Sequence, residues 1–285
     1  MSGLLDVVSP NAVRGLGTAF GLAFGLAAGR AADVLPLRYE ITLLVSGRAR
    51  RRRNVVLAVM GAVIGAWFAH FVTLVPDVTM QRAAFYFSVN LALCLALVAA
   101  AAVDLEHMIL PNELTLGGAL LALATSPWRG VGLVGSLVGI AVGLGITYLP
   151  FVLYKRLRGR SGMGLGDAKL ALFAGAWLGA PGAVFVVFAG ALQSALCAGM
   201  MRVLGVSFAV PASVQAEITD LRAKAAAGDE EARSFLADDP MAADAADSLA
   251  TMRLPMGPFL VLAAVEFVLA RRQILELFDR YVAPP

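Results

Sequence analysis

Long runs of apolar residues alternate with short polar segments along most of the chain. Runs of spanning length lie at 12–32, 55–75, 83–103, 131–153 and 255–275. Each run approaches the ~20 residues that an α-helix needs to cross a hydrocarbon core about 30 Å thick. This pattern predicts a transmembrane helix at each of these places.

Two further apolar stretches predict helices once their breaks are taken into account. The stretch 113–126 is bounded by Pro111 and Pro127, which predicts a shorter helix. The stretch 168–204 would extend about 55 Å as one helix, far more than a membrane requires. Its segment 179–182, Gly-Ala-Pro-Gly, predicts a break into two helices, because proline and clustered glycines end a helical pattern. The predicted fold is therefore all-α, a polytopic membrane helical bundle of about eight transmembrane helices.

The stretch 205–252 differs from the rest because it is rich in alanine and acidic residues. Its acidic side chains are Glu217, Asp220, Asp229, Glu230, Glu231, Asp238, Asp239, Asp244 and Asp247, and its basic ones are Arg222, Lys224 and Arg233. We predict a cytoplasmic acidic insertion, with amphipathic helices over 213–227 and 232–249. It is expected to be a solvated appendage, and the alternative is a docking element for a partner protein.

Composition and charge agree with a membrane protein. Hydrophobic residues make up 59% of the 285 residues and charged residues 15%, whereas a soluble domain is typically about 45–50% apolar. Basic residues concentrate in the loops 33–54 and 154–169, which the positive-inside rule places in the cytoplasm. This rule accounts for the basic pI, so no nucleic-acid partner is predicted. The run from Arg50 to Arg53 is expected to set topology, and the same charges favour anionic membrane lipids.

Two aspartates lie where long apolar runs meet the cytoplasm. Asp104 ends the third predicted span, and Asp167 begins the sixth behind spaced glycines. One antiparallel helix pair separates them, so both are expected at the same membrane face. Taken singly, Asp167 is explained as a helix N-cap and Asp104 as the end of a helix. Ionisable side chains within membrane segments are nevertheless expensive and usually functional.

A pair of neighbouring carboxyls can hydrolyse a peptide bond. Two such groups share a proton and split their apparent pKa values. The ionised group then takes a proton from water while the protonated group hydrogen-bonds the scissile carbonyl. Glycines before Asp167 let a peptide backbone approach closely. The pair Asp104 and Asp167 therefore predicts an aspartic endopeptidase acting on a substrate from the bilayer.

No metal site is predicted. Cys94 and Cys197 lie inside apolar runs, so they cannot supply a four-ligand zinc site. Glu106 and His107 lie beside Asp104 and suggest a metal site as an alternative. The only other histidine, His70, falls within the second predicted span, which argues against it.

Three motifs resemble those of the type IV prepilin peptidases, which are aspartic membrane proteases with a GxGD motif. The motifs are Asp104-Leu-Glu-His-Met-Ile-Leu-Pro111-Asn-Glu-Leu-Thr115, Gly162-Met-Gly-Leu-Gly-Asp167-Ala-Lys169-Leu and Leu254-Pro-Met-Gly257-Pro258-Phe-Leu. They occur in the expected order over about 84–275. The resemblance is specific because a single GxGD string alone would be weak.

The resemblance implies a function and a location. Asp104 and Asp167 would be the catalytic pair, without a cofactor. Substrates would be prepilins or pseudopilins, cut on the cytoplasmic side after a glycine that precedes a hydrophobic helix. The protein would be a multi-pass protein of the bacterial inner membrane. Candidate substrate-binding residues flank the pair: Pro111, Gly164, Gly166, Lys169, Gly257 and Pro258.

The N-terminal third departs from the family pattern. Many members carry two CxxC pairs in the first cytoplasmic loop, associated with zinc and with methylation of the new N-terminus, whereas this loop holds arginines and no cysteine. We therefore divide the chain into a degenerate methyltransferase-like region, 1–82, and a peptidase domain, 83–285, that carries the insertion. S-adenosylmethionine is expected as a cofactor only if methylation is retained. Asn112 stands where the family often has aspartate, and asparagine caps a helix equally well.

Two other functions remain as alternatives. A GxGD protease of the presenilin or signal-peptide-peptidase type would cut inside its substrate's transmembrane helix, and the long motif that begins at Asp104 argues against it. A proton-coupled membrane carrier would use both acids as a relay. Carriers tend to show internal repeats, and no clear repeat is present here.

Overall fold

The computed structural model of the chain describes residues 8–39, 41, 46–75, 79–158, 164–206, 211–238 and 254–281. Across these ranges the regular structure is helical. The helices are α1 (Pro10–Arg38), α2 (Gly47–Thr73), α3 (Met80–His107), α4 (Asn112–Thr125), α5 (Gly132–Arg158), α6 (Leu165–Val203), α7 (Ala212–Ala226), α8 (Glu230–Asp238), α9 (Gly257–Leu269) and α10 (Arg271–Tyr281). A short 3₁₀ turn, Ser126–Trp128, follows α4.

The prediction of an all-helical membrane protein is confirmed. Among the described residues, five helices are long and apolar enough to cross a membrane: α1, α2, α3, the Gly132–Leu153 part of α5, and α6. The apolar helix α9 has only 13 residues, and α4 has 14. The chain is thus a multi-pass membrane protein, while the count of eight spans stays a prediction.

The predicted break in the long apolar stretch is confirmed within α6. Gly179 leaves helical geometry with φ 80° and ψ −176°, two residues before Pro181. A positive φ is accessible to glycine because it lacks a Cβ. The first half of α6, which carries Asp167, therefore ends near Leu178.

Arg129 caps this broken end. It is buried, and its guanidinium donates to the carbonyls of Trp177 at 2.8 Å and Ala176 at 3.3 Å, and also to Ala122 in α4. The last carbonyls of a helix segment lack intrahelical donors, so this side chain supplies the missing hydrogen bonds. Burial lowers the pKa of Arg129 to about 10, which leaves the group charged at neutral pH.

Glycines bring α1 and α2 into close contact. A Cβ built on Gly21 would lie 2.9 Å from the Gly65 Cα, and one built on Gly61 would lie 2.8 Å from the Gly25 Cα. Small residues allow helix backbones to approach closely within membranes. The pair α1 and α2 then packs against α3.

Gly21→Ala is expected to destabilise this pair by about 1–3 kcal/mol, because the added methyl must push two backbones apart. Gly15→Ala in the same helix is the control, since a Cβ there meets nothing within 4 Å. Thermal unfolding in detergent measures the difference. Equal midpoints for both variants would contradict the close packing.

The core forms where α3, α6 and α9 meet, with α4 packed on α3 and α6. Trp177, Phe173 and Phe267 are its largest fully buried side chains. The Trp177 indole donates to Asn90 Oδ1 at 2.9 Å, which joins α6 to α3. This arrangement fixes the ends of α3, α6 and α9 relative to one another.

The acidic stretch contains α7 and α8, which pack together, and α7 also contacts α3. The first predicted helix, 213–227, corresponds to α7. The second, 232–249, overlaps α8, and its part beyond 238 lies outside the described residues. The placement of this stretch in the cytoplasm stays a prediction.

Candidate active site

Asp104 lies in the last turn of α3 and is 6% exposed. Met108 follows with φ 54°, and its N–H donates to the Asp104 carbonyl at 2.8 Å. A left-handed residue at this position ends the helix sharply. The helix therefore ends at His107, one turn after the aspartate, and Asp104 lies in its last turn.

The third motif meets Asp104 at the beginning of α9. The Gly257 N–H donates to Asp104 Oδ2 at 3.1 Å, and a Cβ on Gly257 would lie 2.5 Å from the same oxygen. Pro258 occupies the first turn of α9, where its fixed φ is favourable. Exposed N–H groups at a helix N-terminus stabilise a neighbouring negative charge. Glycine is required here because any side chain would collide with the carboxyl.

Asp167 lies in the first turn of α6 and is half-buried. Its N–H donates to the Gly164 carbonyl at 3.2 Å. Asp167 lies close enough to Asp104 for its charge to act on that carboxyl. The fold thus brings together the two aspartates singled out in the sequence, and their catalytic role remains a prediction.

The first two motifs also pack on each other. A Cβ on Gly166 would lie 2.8 Å from Leu110 Cδ1. Lys169 Nζ donates to Asn112 Oδ1 at 2.8 Å. These contacts join the start of α6 to the segment that leads from α3 into α4. Glycine at 166 therefore allows Leu110 to pack closely against α6.

The remaining candidate substrate-binding residues differ in their exposure. Pro111 is buried, and its carbonyl accepts from Thr115 Oγ1 at 3.0 Å. Gly257 is buried and Pro258 half-buried, whereas Gly164 is exposed. Gly164 is therefore the most accessible of the candidates, and the substrate contacts of all six remain predictions.

A buried charge network that the sequence did not reveal lies beside the aspartates. Arg53 of α2 forms ion pairs with Asp33 of α1 and Glu106 of α3. The exposed fractions are 11% for Arg53, 18% for Asp33 and 15% for Glu106. Asn54 also donates to Asp33 Oδ2 at 3.3 Å. The sequence alone indicates only a topology signal for Arg53 and its neighbouring arginines, although Asp33, a lone acid near the end of an apolar run, suggests that it has a basic partner.

Arg53→Gln is expected to lower the free energy of unfolding by about 3 kcal/mol, because it leaves the largely buried Glu106 without its cation and Asp33 with only the more distant Arg50. Arg52→Gln is the matched control, since Arg52 is exposed. Chemical denaturation in mild detergent gives both values. A similar decrease in the free energy of unfolding in both variants would show that the overall positive charge of this segment, and not the buried network, stabilises the protein.

A second contact ties α1 to α4. The Tyr39 hydroxyl donates to Glu113 Oε2 at 3.0 Å and accepts from the Asn112 N–H at 2.9 Å. Partial burial raises the pKa of Tyr39, so the phenol stays protonated and remains a donor at neutral pH. Tyr39, at the end of α1, therefore also fixes the position of the start of α4, which follows Asp104 in the chain.

The residues of the alternative metal site are engaged elsewhere. Glu106 pairs with Arg53, and His107 Nδ1 lies 3.3 Å from Ser213 Oγ of α7. In the part of the chain that the structure describes, no group of three histidine, cysteine, aspartate or glutamate side chains is arranged to hold a metal ion. The contact with Ser213 instead links the acidic stretch to the end of α3.

Comparison with known proteins gives one family and several relatives. Residues 91–199 match the type IV leader peptidase family. A prepilin leader peptidase/N-methyltransferase of Xanthomonas campestris pv. campestris is 36% identical over 111 residues, 35% of each chain. Proteins of the same name from Neisseria gonorrhoeae and Aeromonas hydrophila are 34% identical over 102 residues and 39% identical over 93. They are matched over 36% and 31% of their lengths, and over 35% and 31% of this chain.

The chain thus spans about a third of the length of the curated relatives it matches. The matched family segment contains Asp104 and Asp167, while Gly257 lies beyond it. No solved structure matches the chain at a significant level.

Proposed function

We propose, from the match of residues 91–199 to the type IV leader peptidase family, that this protein is a membrane aspartic endopeptidase that removes the leader peptide of type IV prepilins or pseudopilins. The names of the matched relatives support this substrate class. The proposal places the protein in the bacterial inner membrane with its active site in the cytoplasm. It assigns peptidase activity to 83–285 and leaves 1–82 as a degenerate methyltransferase-like region.

The observation that supports the proposal is that Asp104 and Asp167, at the ends of two apolar helices, lie within electrostatic range of each other. Two carboxyls within electrostatic range favour a state that holds one proton between them. The ionised carboxyl accepts a proton from water as the water oxygen attacks the scissile carbonyl carbon. The protonated carboxyl donates to the carbonyl oxygen, and a proton then passes to the leaving amine nitrogen as the C–N bond breaks.

The surface beside the aspartates suits a substrate with a hydrophobic helix. Leu105 is 45% exposed and Leu165 is 53% exposed, and each lies within a motif that carries an aspartate. Gly164 is exposed, and a Cβ built on it would lie 3.5 Å from Asp167 Oδ2, so an accessible stretch of backbone lies beside this carboxyl. We infer that the leader segment passes Gly164 while the apolar part of the substrate packs on the two leucines.

A cleavage assay with the purified full chain tests this function. A synthetic prepilin-like peptide with a glycine before its hydrophobic segment is incubated with wild type and with the double variant Asp104→Asn/Asp167→Asn. Mass spectrometry is expected to show one cut after the glycine with wild type and an intact peptide with the variant. An intact peptide with folded wild type would favour a carrier, which proton-flux measurements in vesicles would test directly. A cut within the hydrophobic segment would favour a presenilin-type protease.

Methylation is a separate question, because N-methyltransferase belongs to the names of the relatives. Adding S-adenosylmethionine to the same assay answers it. A product whose mass rises by one methyl group at its new N-terminus would assign the second activity to this chain.

A further inference from the structure

A groove lies between α1 and α2 on their outer side, at the end of the bundle that holds the aspartates. Its volume is about 570 Å³, and its lining includes the apolar side chains Leu22, Leu26, Val55 and Val59. Arg50 and Arg51 line one end of it. This end corresponds to the active-site side, because the neighbouring Arg53 pairs with Glu106 near Asp104.

The groove has the length of one membrane leaflet. The nine residue steps from Arg50 to Val59 rise about 14 Å along α2, and half of a hydrocarbon core is about 15 Å. Leu26, Val55 and Val59 are 55%, 56% and 55% exposed, respectively. Since α1 and α2 are membrane-crossing by length and composition, this apolar surface faces lipid chains.

The arginines at the mouth retain positive charge. Arg53 already pairs with Asp33, and the Arg50 guanidinium is 3.9 Å from the same carboxylate with 49% of its side chain exposed. Arg51 is exposed and forms no ion pair with any carboxylate of the described residues. A guanidinium binds phosphate oxygens in a bidentate fashion. The mouth is thus complementary to an anionic headgroup.

We propose that this groove binds one anionic phospholipid of the leaflet on the active-site side. One acyl chain lies along Leu22, Leu26 and Val59, and the headgroup phosphate lies between Arg50 and Arg51. Binding is expected to need both parts of the lipid, because the apolar side chains of the groove contact the acyl chain and the two guanidinium groups bind the phosphate. The site is independent of the proposed peptidase activity.

Native mass spectrometry of the full chain tests the site. The protein is released from micelles that contain equal amounts of phosphatidylglycerol and phosphatidylcholine, and the bound lipids are counted. Wild type is expected to retain one phosphatidylglycerol in preference to phosphatidylcholine. Arg50→Gln/Arg51→Gln is expected to lower that preference about fivefold for each arginine removed. Arg52→Gln, next to the groove but outside its lining, is expected to leave the preference unchanged.

A second pair of variants tests the acyl-chain part. Val55→Trp fills the groove and is expected to reduce retention of both lipids, while Val56→Trp on the adjacent exposed position does not. An equal loss with Arg52→Gln would show diffuse attraction and overturn the site. Unchanged retention in Val55→Trp, or displacement of the lipid by soluble glycerol phosphate, would also overturn it.

Discussion

Asp104→Asn is expected to lower kcat/KM for a prepilin-like peptide by at least about a thousandfold, the upper part of the range for loss of acid–base catalysis. Asparagine keeps the shape of the side chain but cannot exchange a proton with water or with Asp167. Asp167→Asn is expected to have a loss of the same order, because the two groups act as one unit.

Initial rates of peptide cleavage measure the loss, and Asp220→Asn is the matched control because Asp220 is an exposed carboxylate of α7 paired with Lys224. The wild-type rate is expected to follow a bell-shaped pH profile, since only the singly protonated pair is active. A single asparagine variant that cleaves at the wild-type rate would disprove the shared-proton mechanism.

Gly257→Ala is expected to lower kcat/KM by about a hundredfold, although the substitution adds only one methyl group. That methyl would lie 2.5 Å from Asp104 Oδ2 and 3.0 Å from its Cγ, so the carboxyl must rotate away from the N-terminus of α9. A displacement of about 1 Å in a reacting group commonly has an effect of this size. The variant therefore tests whether the third motif acts by placing Asp104.

Gly117→Ala is the control for this substitution, because a Cβ at that α4 glycine meets nothing within 4 Å. Cleavage rates and thermal midpoints are measured for both variants. An activity loss in Gly257→Ala that is matched by global unfolding would assign the glycine to stability alone, whereas a loss with a near-normal midpoint supports placement of the carboxyl.

Local patterns in the sequence were sufficient for several features. The break in α6 was predictable because glycine at 179 and proline at 181 act within one helical turn. The proximity of Asp104 and Asp167 was predictable because the number of intervening apolar runs placed both at one face. The helix break depends only on residues within a few positions of each other. The shared face of the two aspartates depends only on whether an even or odd number of membrane crossings separates them.

Contacts between distant segments were not predictable. Arg53 stands in a run of four arginines that look alike in the sequence. The glycine-mediated contact of α1 with α2 brings Arg53 to Asp33 and Glu106, whereas Arg50 and Arg51 line the groove between these helices. The contact of His107 with Ser213 likewise depends on where α7 packs, which weak periodicity did not indicate.

Ion pairs and hydrogen bonds from α1 and α2 tie the N-terminal helices to the segment around Asp104. A fragment beginning at residue 83 would retain all three motifs. In that fragment, Glu106 would lack its ion pair with Arg53, and Asn112 and Glu113 would lack their hydrogen bonds with Tyr39. The N-terminal helices thereby act as an internal brace for the segment that follows Asp104.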